Sequence, residues 1–272
     1  MTRDTKPYRL ENLLYLMKRL RDPETGCPWD IQQSFQSITS STIEEAYEVV
    51  DAIEQEDYGH LREELGDLLF QVIFYSQLAD EQQGYNFNDV VDGLTAKLVR
   101  RHPHVFPDGS LESRRAPGEV LDDADIKASW ENIKQQERES KGSRGVFDDV
   151  PVSLPPLTRA TKLQKRAAKM GFDWESSDQV LDKLEEELTE LCEAFESKNV
   201  EHVASELGDL MFTCVNLSRH LHLDPETLMR SANRKFESRF SHVVSAMNQS
   251  EKASFTAQEL ESFWDEAKKN GL

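Results

Sequence analysis

Apolar residues recur along this chain at the spacing of one helix face. Leu10, Leu13, Leu14, Met17 and Leu20 predict an opening amphipathic helix that ends near Asp22-Pro23. Thr42-Ile43-Glu44-Glu45 has the form of a capping box and leads into the run AYEVVDAI. A further long helix is predicted from His60 to about Asp80. Later in the chain the basic run TRATKLQKRAAKM is helix-compatible and is stopped by Gly171. No run alternates with the period of a strand, and no Asn-Gly hairpin signal interrupts the helical pattern. The pattern predicts an all-α protein.

Two polar segments read as connectors. Pro107 to Asp125 contains PDGS, RRAPGE and LDDAD, and Ser140 to Pro156 contains SKGSRG, DDVP and LPP. The second is the better boundary, which predicts a first domain over 1–139, a linker over 140–156 and a second domain over 157–272.

The stretch REELGDLLF at 62–70 returns as ASELGDLMF at 204–212, a separation of 142 positions. At that offset Glu44, Glu45, Glu48, Glu64 and Asp67 fall on Glu186, Glu187, Glu190, Glu206 and Asp209. With small changes of offset Trp29 answers to Trp174, Lys97 and Arg101 to Lys235 and Arg239, and Trp130 and Lys134 to Trp264 and Lys268. Most neighbours of the acids differ between the copies, whereas all five acids match. A duplicated helical unit is implied.

On a helix, Glu45 and Glu48 lie about one turn apart, as do Glu64 and Asp67. The bend Glu56-Asp57-Tyr58-Gly59 is short, so the two helices should pack antiparallel and bring the four carboxylates face to face. Val49, Ile53, Leu61, Leu65, Leu68 and Leu69 supply the apolar stripe, and Gly66 is expected to let the helices approach closely. Two ionised carboxylates about 5 Å apart repel by roughly 3 kcal/mol at an effective dielectric near 20. Either the acids stay partly protonated or a divalent cation sits among them. Oxygen-only ligands favour Mg²⁺ or Mn²⁺. A di-iron bundle would want Glu-x-x-His pairs, and the near miss Asp57-x-x-His60 sits in the bend, which sets iron aside.

The 272 residues carry 32 basic and 51 acidic side chains, a formal net charge of −19, which argues against a broad nucleic-acid or membrane footprint. The cysteines, Cys27, Cys192 and Cys214, are few, odd in number and without metal spacing, which suits reduced thiols. The opening MTRDTKPYRL has no apolar core of a secretory signal, so a cytoplasmic location is expected. His102 and His104 in RRHPHVF read better as a helix-ending turn than as metal ligands, and Cys27 in GCPWD as packed rather than nucleophilic.

Taken in order, EExxE followed by ExxD on the next helix, duplicated, with GCPWD, RRHPHVF, GFDW and KFxxRF, resembles the MazG family of all-α nucleoside triphosphate pyrophosphohydrolases. The resemblance runs from about Leu10 to Lys268. It implies a tandem repeat of two MazG-like helical-bundle domains, a homodimer, and hydrolysis of nucleoside triphosphates to monophosphate and pyrophosphate with Mg²⁺ and broad base preference. It implies that the second half carries most of the activity. Matched residue by residue, the metal ligands would be Glu187, Glu190, Glu206 and Asp209, with Glu45, Glu48, Glu64 and Asp67 as a second, less active set. Nucleotide contacts would fall on Lys183, Glu186, Lys235, Arg239, Trp264 and Lys268. Glu186 would orient the attacking water, beside Glu187.

Lys183 can equally be an i,i+4 partner of Glu187, Lys235 and Arg239 a solvated basic face, and Trp264 a core residue. Ser41 stands where the second half has Lys183, so the first half is expected to bind metal yet hydrolyse poorly. Two rivals remain at this point: a pyrophosphatase dedicated to one nucleotide such as dUTP or dCTP, and a non-catalytic helical module that docks a basic protein partner. Both kinds of function could coexist, with the first half regulatory.

Overall fold

A computed structural model describes residues 7–116, 118, 122–140, 145–250, 252 and 254–272. The chain forms two compact units, Met1–Lys134 and Gln135–Leu272. Every regular element among the described residues is helical. In the first unit these are α1 (Leu10–Leu20), α2 (Pro28–Gln32), α3 (Thr39–Glu54), α4 (Tyr58–Glu81) and α5 (Phe87–Arg101). Helix α6 (Asp123–Ser140) runs across the boundary between the units. The second unit continues with α7 (Pro156–Lys169), α8 (Ser177–Ser197), α9 (Val200–His220), α10 (Pro225–Gln249) and α11 (Ala257–Lys269).

Helices α1 and α4 match the ranges their apolar periodicity predicts, and Gly171, at φ +84°, follows α7 where only a residue without a Cβ is comfortable. The Thr42 prediction needs correction. Helix α3 begins at Thr39, so Thr42 lies inside it. Its hydroxyl donates to the Ile38 carbonyl 3.0 Å away and lies 3.0 Å from the Tyr75 hydroxyl, which satisfies it without a cap.

Each unit is organised by one antiparallel helix hairpin, α3 on α4 and α8 on α9. The two corners repeat at the same 142-residue offset. Glu56 and Lys198 both take a left-handed backbone at φ 56°. Asp57 and Asn199 then cap the next helix, Asp57 accepting from the His60 amide and Asn199 from the Glu201 and His202 amides. Buried apolar positions repeat too: Ile38 with Val180, Ala52 with Ala194, Ile73 with Val215. The first unit fills its core with larger groups, Met17, Ile38, Ile73, Phe74 and Leu78, packed against Leu13, Leu14, Phe35 and Phe70.

The stripe beside the acids is less covered than its sequence suggests. Leu65 is 50% exposed and its counterpart Leu207 46%, and Leu69, Met211 and Ile53 are also exposed. Gly66 and Gly208 do not serve a close approach within their units: a Cβ built on either meets nothing within 4 Å. The apolar letters of ELGDL therefore divide between an inner face and an outer one. No described helix is long and apolar enough to cross a membrane.

Candidate metal and nucleotide site

The hairpins bring three of the four predicted acids together in each half. In the second half, Glu187 and Glu190 from α8 meet Glu206 from α9, with one carboxylate oxygen of each within 4.8 Å of the others. In the first half Glu45, Glu48 and Glu64 do the same. Antiparallel packing dictates which acids meet, because EExxE near the middle of one helix lies opposite the first turns of the next. Asp209 and Asp67 lie outside these groups and are exposed. Asp67 is nevertheless close enough to help hold the Glu45 carboxyl above its ordinary value, as burial, the larger cause, and Glu48 also do.

One acid in each group is largely shielded from water, Glu187 at 6% exposure and Glu64 at 7%. The matched acids Glu187 and Glu45 have different partners in the two halves. Lys183 reaches one turn down α8, with its Nζ 2.9 Å from Glu187 Oε1 and 2.9 Å from Glu186 Oε1. The i,i+4 pair is thus present, and Glu187 with Glu186 hold the ammonium well above its usual range. In the first half Ser41 brings no charge. There the buried Gln71 donates from Nε2 to Glu45 Oε1 at 3.5 Å, and its own Oε1 has no hydrogen-bond partner.

A histidine that the acid pattern missed stands beside each group. His60 Nε2 is 2.6 Å from Glu64 Oε1, and His202 Nε2 is 3.3 Å from Glu206 Oε1, both at i,i+4. The signal was available in the letters, since His60 and His202 also lie 142 positions apart. Burial raises the Glu64 carboxyl and His60 works against that rise. Such a partner fixes a ligating carboxylate's orientation.

The remaining predicted contacts form a second group on α10 and α11, which pack on one another. The half-buried Trp264 lies 5.4 Å from the Phe236 ring, and the Arg239 guanidinium sits 5.7 Å from the Trp264 ring centre. Arg239 also donates to the Leu272 carbonyl at 2.7 Å. Lys268 pairs with Asp265 at 3.0 Å and Lys235 is exposed. None of these cations is paired with the acids of α8 and α9 among the described residues. His102 caps the end of α5 through Nδ1, 2.6 Å from the Leu98 carbonyl, in keeping with a turn. The three cysteines are free, Cys192 and Cys214 exposed and Cys27 half-buried.

The donor set fits a hard divalent cation. All three ligating groups are carboxylates, their oxygens already converge, and one is shielded from water, where a lone charge is costly. Nitrogen or sulfur donors that would favour a softer metal are absent from both triads.

The sequence profile of the MazG nucleotide pyrophosphohydrolase domain matches this chain twice, over residues 33–106 and 175–244. The nucleoside triphosphate pyrophosphohydrolase of Escherichia coli K12 is 45% identical over 97% of this chain and 98% of its own length. The nucleoside triphosphate pyrophosphohydrolase/pyrophosphatase MazG of Thermotoga maritima is 39% identical over 95% of each chain. A crystal structure of a MazG-related protein from Thermotoga maritima is similar at 24% identity and a TM-score of 0.38, covering 46% of this chain and 99% of that one. With two matched domains, each centred on its own acid-bearing hairpin, this chain belongs to the MazG family.

Proposed function

We propose that this chain hydrolyses nucleoside triphosphates between the α and β phosphates, releasing monophosphate and pyrophosphate, at the second-half acidic group. The observation that carries the reading is the convergence of Glu187, Glu190 and Glu206 with a lysine at their edge. Carboxylates alone repel a triphosphate. A bound Mg²⁺, with Mn²⁺ as a substitute, supplies the missing positive charge and polarises the phosphoryl oxygens. Glu187, Glu190 and Glu206 would hold it, with Asp209 one turn beyond Glu206 completing the set.

The chain's own groups then have separate tasks. Lys183 would leave the carboxylates for the phosphates and stabilise charge on the departing pyrophosphate. Glu186, 57% exposed, would be freed by that movement to orient the attacking water and take its proton. Lys235, Arg239 and Lys268 would attract the polyanion. Trp264 offers a π-face to any base, which gives broad base preference.

In the first half Ser41 leaves no such lysine, so that half would hydrolyse poorly and serve regulation. The exposed Leu65 and Leu69 recur at one offset as the exposed Leu207 and Met211, and these stripes suit burial in a homodimer. Free cysteines suit a cytoplasmic setting.

The test is incubation with each NTP and dNTP, with and without Mg²⁺, and chromatography of the products. Monophosphate and pyrophosphate from many bases, only with the cation, is the expected result. Turnover of a single nucleotide would restrict the reading to a dedicated pyrophosphatase. No turnover of any would overturn it in favour of a docking module.

A further inference from the structure

The cations expected to meet the nucleotide differ in how they are held. Lys268 is paired with Asp265 at 3.0 Å, and Lys183 with Glu186 and Glu187. Arg239 is paired with no acidic side chain among the described residues. Its guanidinium is fixed instead from two directions, by the Trp264 ring, whose centre is 5.7 Å away, and by the backbone oxygen of Leu272, 2.7 Å from Nε. A guanidinium carries its N–H donors in a rigid planar fork. Using the donor at Nε leaves both Nη groups, and neither has a hydrogen-bond partner among the described residues.

The end of α11 brings the Leu272 oxygen to Arg239. Asn270 closes the helix and Gly271 turns left-handed at φ +82°. The Leu272 amide then donates to the Ala267 carbonyl at 3.2 Å and the Gly271 amide to the Lys268 carbonyl at 3.1 Å, the paired bonds of a Schellman motif. Ala267 is buried, so the turn is tied to a fixed part of the helix that also carries Trp264. Both anchors of Arg239 therefore belong to one rigid element. A Cβ at Gly271 would meet nothing within 4 Å, so the left-handed backbone, and not space, calls for glycine there. Counting from the paired Trp130 and Trp264, Glu137 answers to Gly271, and it lies inside α6, which runs on to Ser140. The turn is a feature of the second half.

We propose that Gly271 and Leu272 are positioning residues for the nucleotide: their turn holds Arg239 by Nε against Trp264, so that both Nη groups are presented to the phosphates in a fixed geometry. This inference rests on the function proposed above. An unanchored arginine gives up rotamer freedom when it grips a phosphate, which weakens binding. Held at Nε and at its face, Arg239 has given up that freedom before the nucleotide arrives. Neither anchor is an acidic side chain, so no carboxylate of α10 or α11 has to be displaced before the guanidinium donates to a phosphate.

The test is calorimetric titration of the full chain with α,β-methylene ATP and Mg²⁺. Wild type is compared with Arg239→Ala, Gly271→Val, Gly271→Asn and the Arg239→Ala/Gly271→Val double variant. Valine resists a left-handed backbone and asparagine tolerates it. Gly271→Val should weaken binding about five-fold and Gly271→Asn less than about two-fold, and in the Arg239→Ala background the valine should add nothing, because it acts through the arginine. Wild-type affinity in Gly271→Val, an affinity indifferent to Arg239→Ala, or an equal loss with and without Arg239 would overturn the proposal. The last result would make the turn a structural support only. Should Gly271→Val lose helicity by circular dichroism, Gly271→Ala, a milder strain on the same backbone, takes its place in the cycle and decides. Pyrophosphate release by wild type is scored in parallel. Release, with binding that depends on Arg239 and not on Gly271, sinks this inference and leaves the function intact. Neither binding nor release in wild type sinks the function, and this inference with it.

Discussion

The acidic groups of the two halves stand on the same hairpin, turned at Glu56 and Lys198 with the same left-handed backbone and capped by Asp57 and Asn199. Each has three converging carboxylates and a histidine four residues before the acid on the second helix. Among the side chains that touch the acids they differ at Ser41 against Lys183 and at Gln71 against Thr213. The lesson is that duplication preserved the means of gathering carboxylates and changed the means of balancing them. In the second half an internal cation stabilises the group. In the first half, burial and neighbouring acids push Glu45 up, and burial pushes Glu64 up against the pull of His60. A group balanced by a lysine is prepared to exchange partners with a polyanion. A group whose neighbours are a neutral amide and a histidine has no lysine to displace.

The sharpest way to break this comparison is to delete the same acid of the repeat in each half in turn, Glu187 and its counterpart Glu45. Glu187→Ala should lower pyrophosphate release about 100-fold or more, a loss of roughly 2.7 kcal/mol of transition-state stabilisation. Glu45→Ala should lower it less than about three-fold. Equal losses would move the working site or share it between halves.

The next effect concerns the two histidines. His202→Ala should raise the Mg²⁺ concentration needed for half-maximal turnover about ten-fold, since it removes the imidazole that lies 3.3 Å from the Glu206 carboxylate. His60→Ala should leave that requirement nearly as it was. A loss of kcat with no change in the Mg²⁺ requirement would deny His202 its role in positioning Glu206.

Lys183→Ser should then raise KM for the triphosphate about ten-fold and reduce kcat less, because a flexible ammonium contributes mostly to holding the polyanion. A fall in kcat alone would place Lys183 in the chemistry of the leaving group only.

How much of this was legible without coordinates depends on which physical signal carried it. Helices α1 and α4 were readable because their apolar spacing is strong and their ends coincide with Arg21-Asp22-Pro23 and the Asp57 cap. The acids were readable because five identities survived among changed neighbours. Thr42 misled because a Ser or Thr before Glu looks like a cap whether the helix starts there or three residues earlier. Gly66 misled because a glycine among leucines suggests close packing, whereas this one faces open space. His60 was seen only as half of an iron motif, and its true partner, Glu64, is one turn along the same helix. Gln71 left no trace in the repeat, since its counterpart is Thr213 and burial alone marks it.

The smallest expected effect is on stability. Glu45 and Glu64 hold protons more tightly folded than unfolded, so the first half binds more protons when folded. Its stability should fall as pH rises above the ordinary carboxyl value of 4.5 and through the raised values. Glu45→Gln should therefore raise the melting temperature of the metal-free chain near neutral pH, by an amount equivalent to about 0.5 kcal/mol, and change little at pH 4. Added Mg²⁺ should narrow the difference. A variant less stable than wild type at neutral pH without metal would show that the carboxylates are not in conflict.

The central claim is that the second-half acids hold a divalent cation together with the triphosphate. It is tested most directly by Mn²⁺ binding in the presence of an α,β-methylene nucleoside triphosphate, which cannot be cleaved between those phosphates. Wild type should take up a nucleotide-dependent ion that the Glu187→Ala/Glu190→Ala double variant does not. If wild type takes up no additional ion with the analogue, or the double variant takes up as much as wild type, the acids of α8 and α9 are not the metal site.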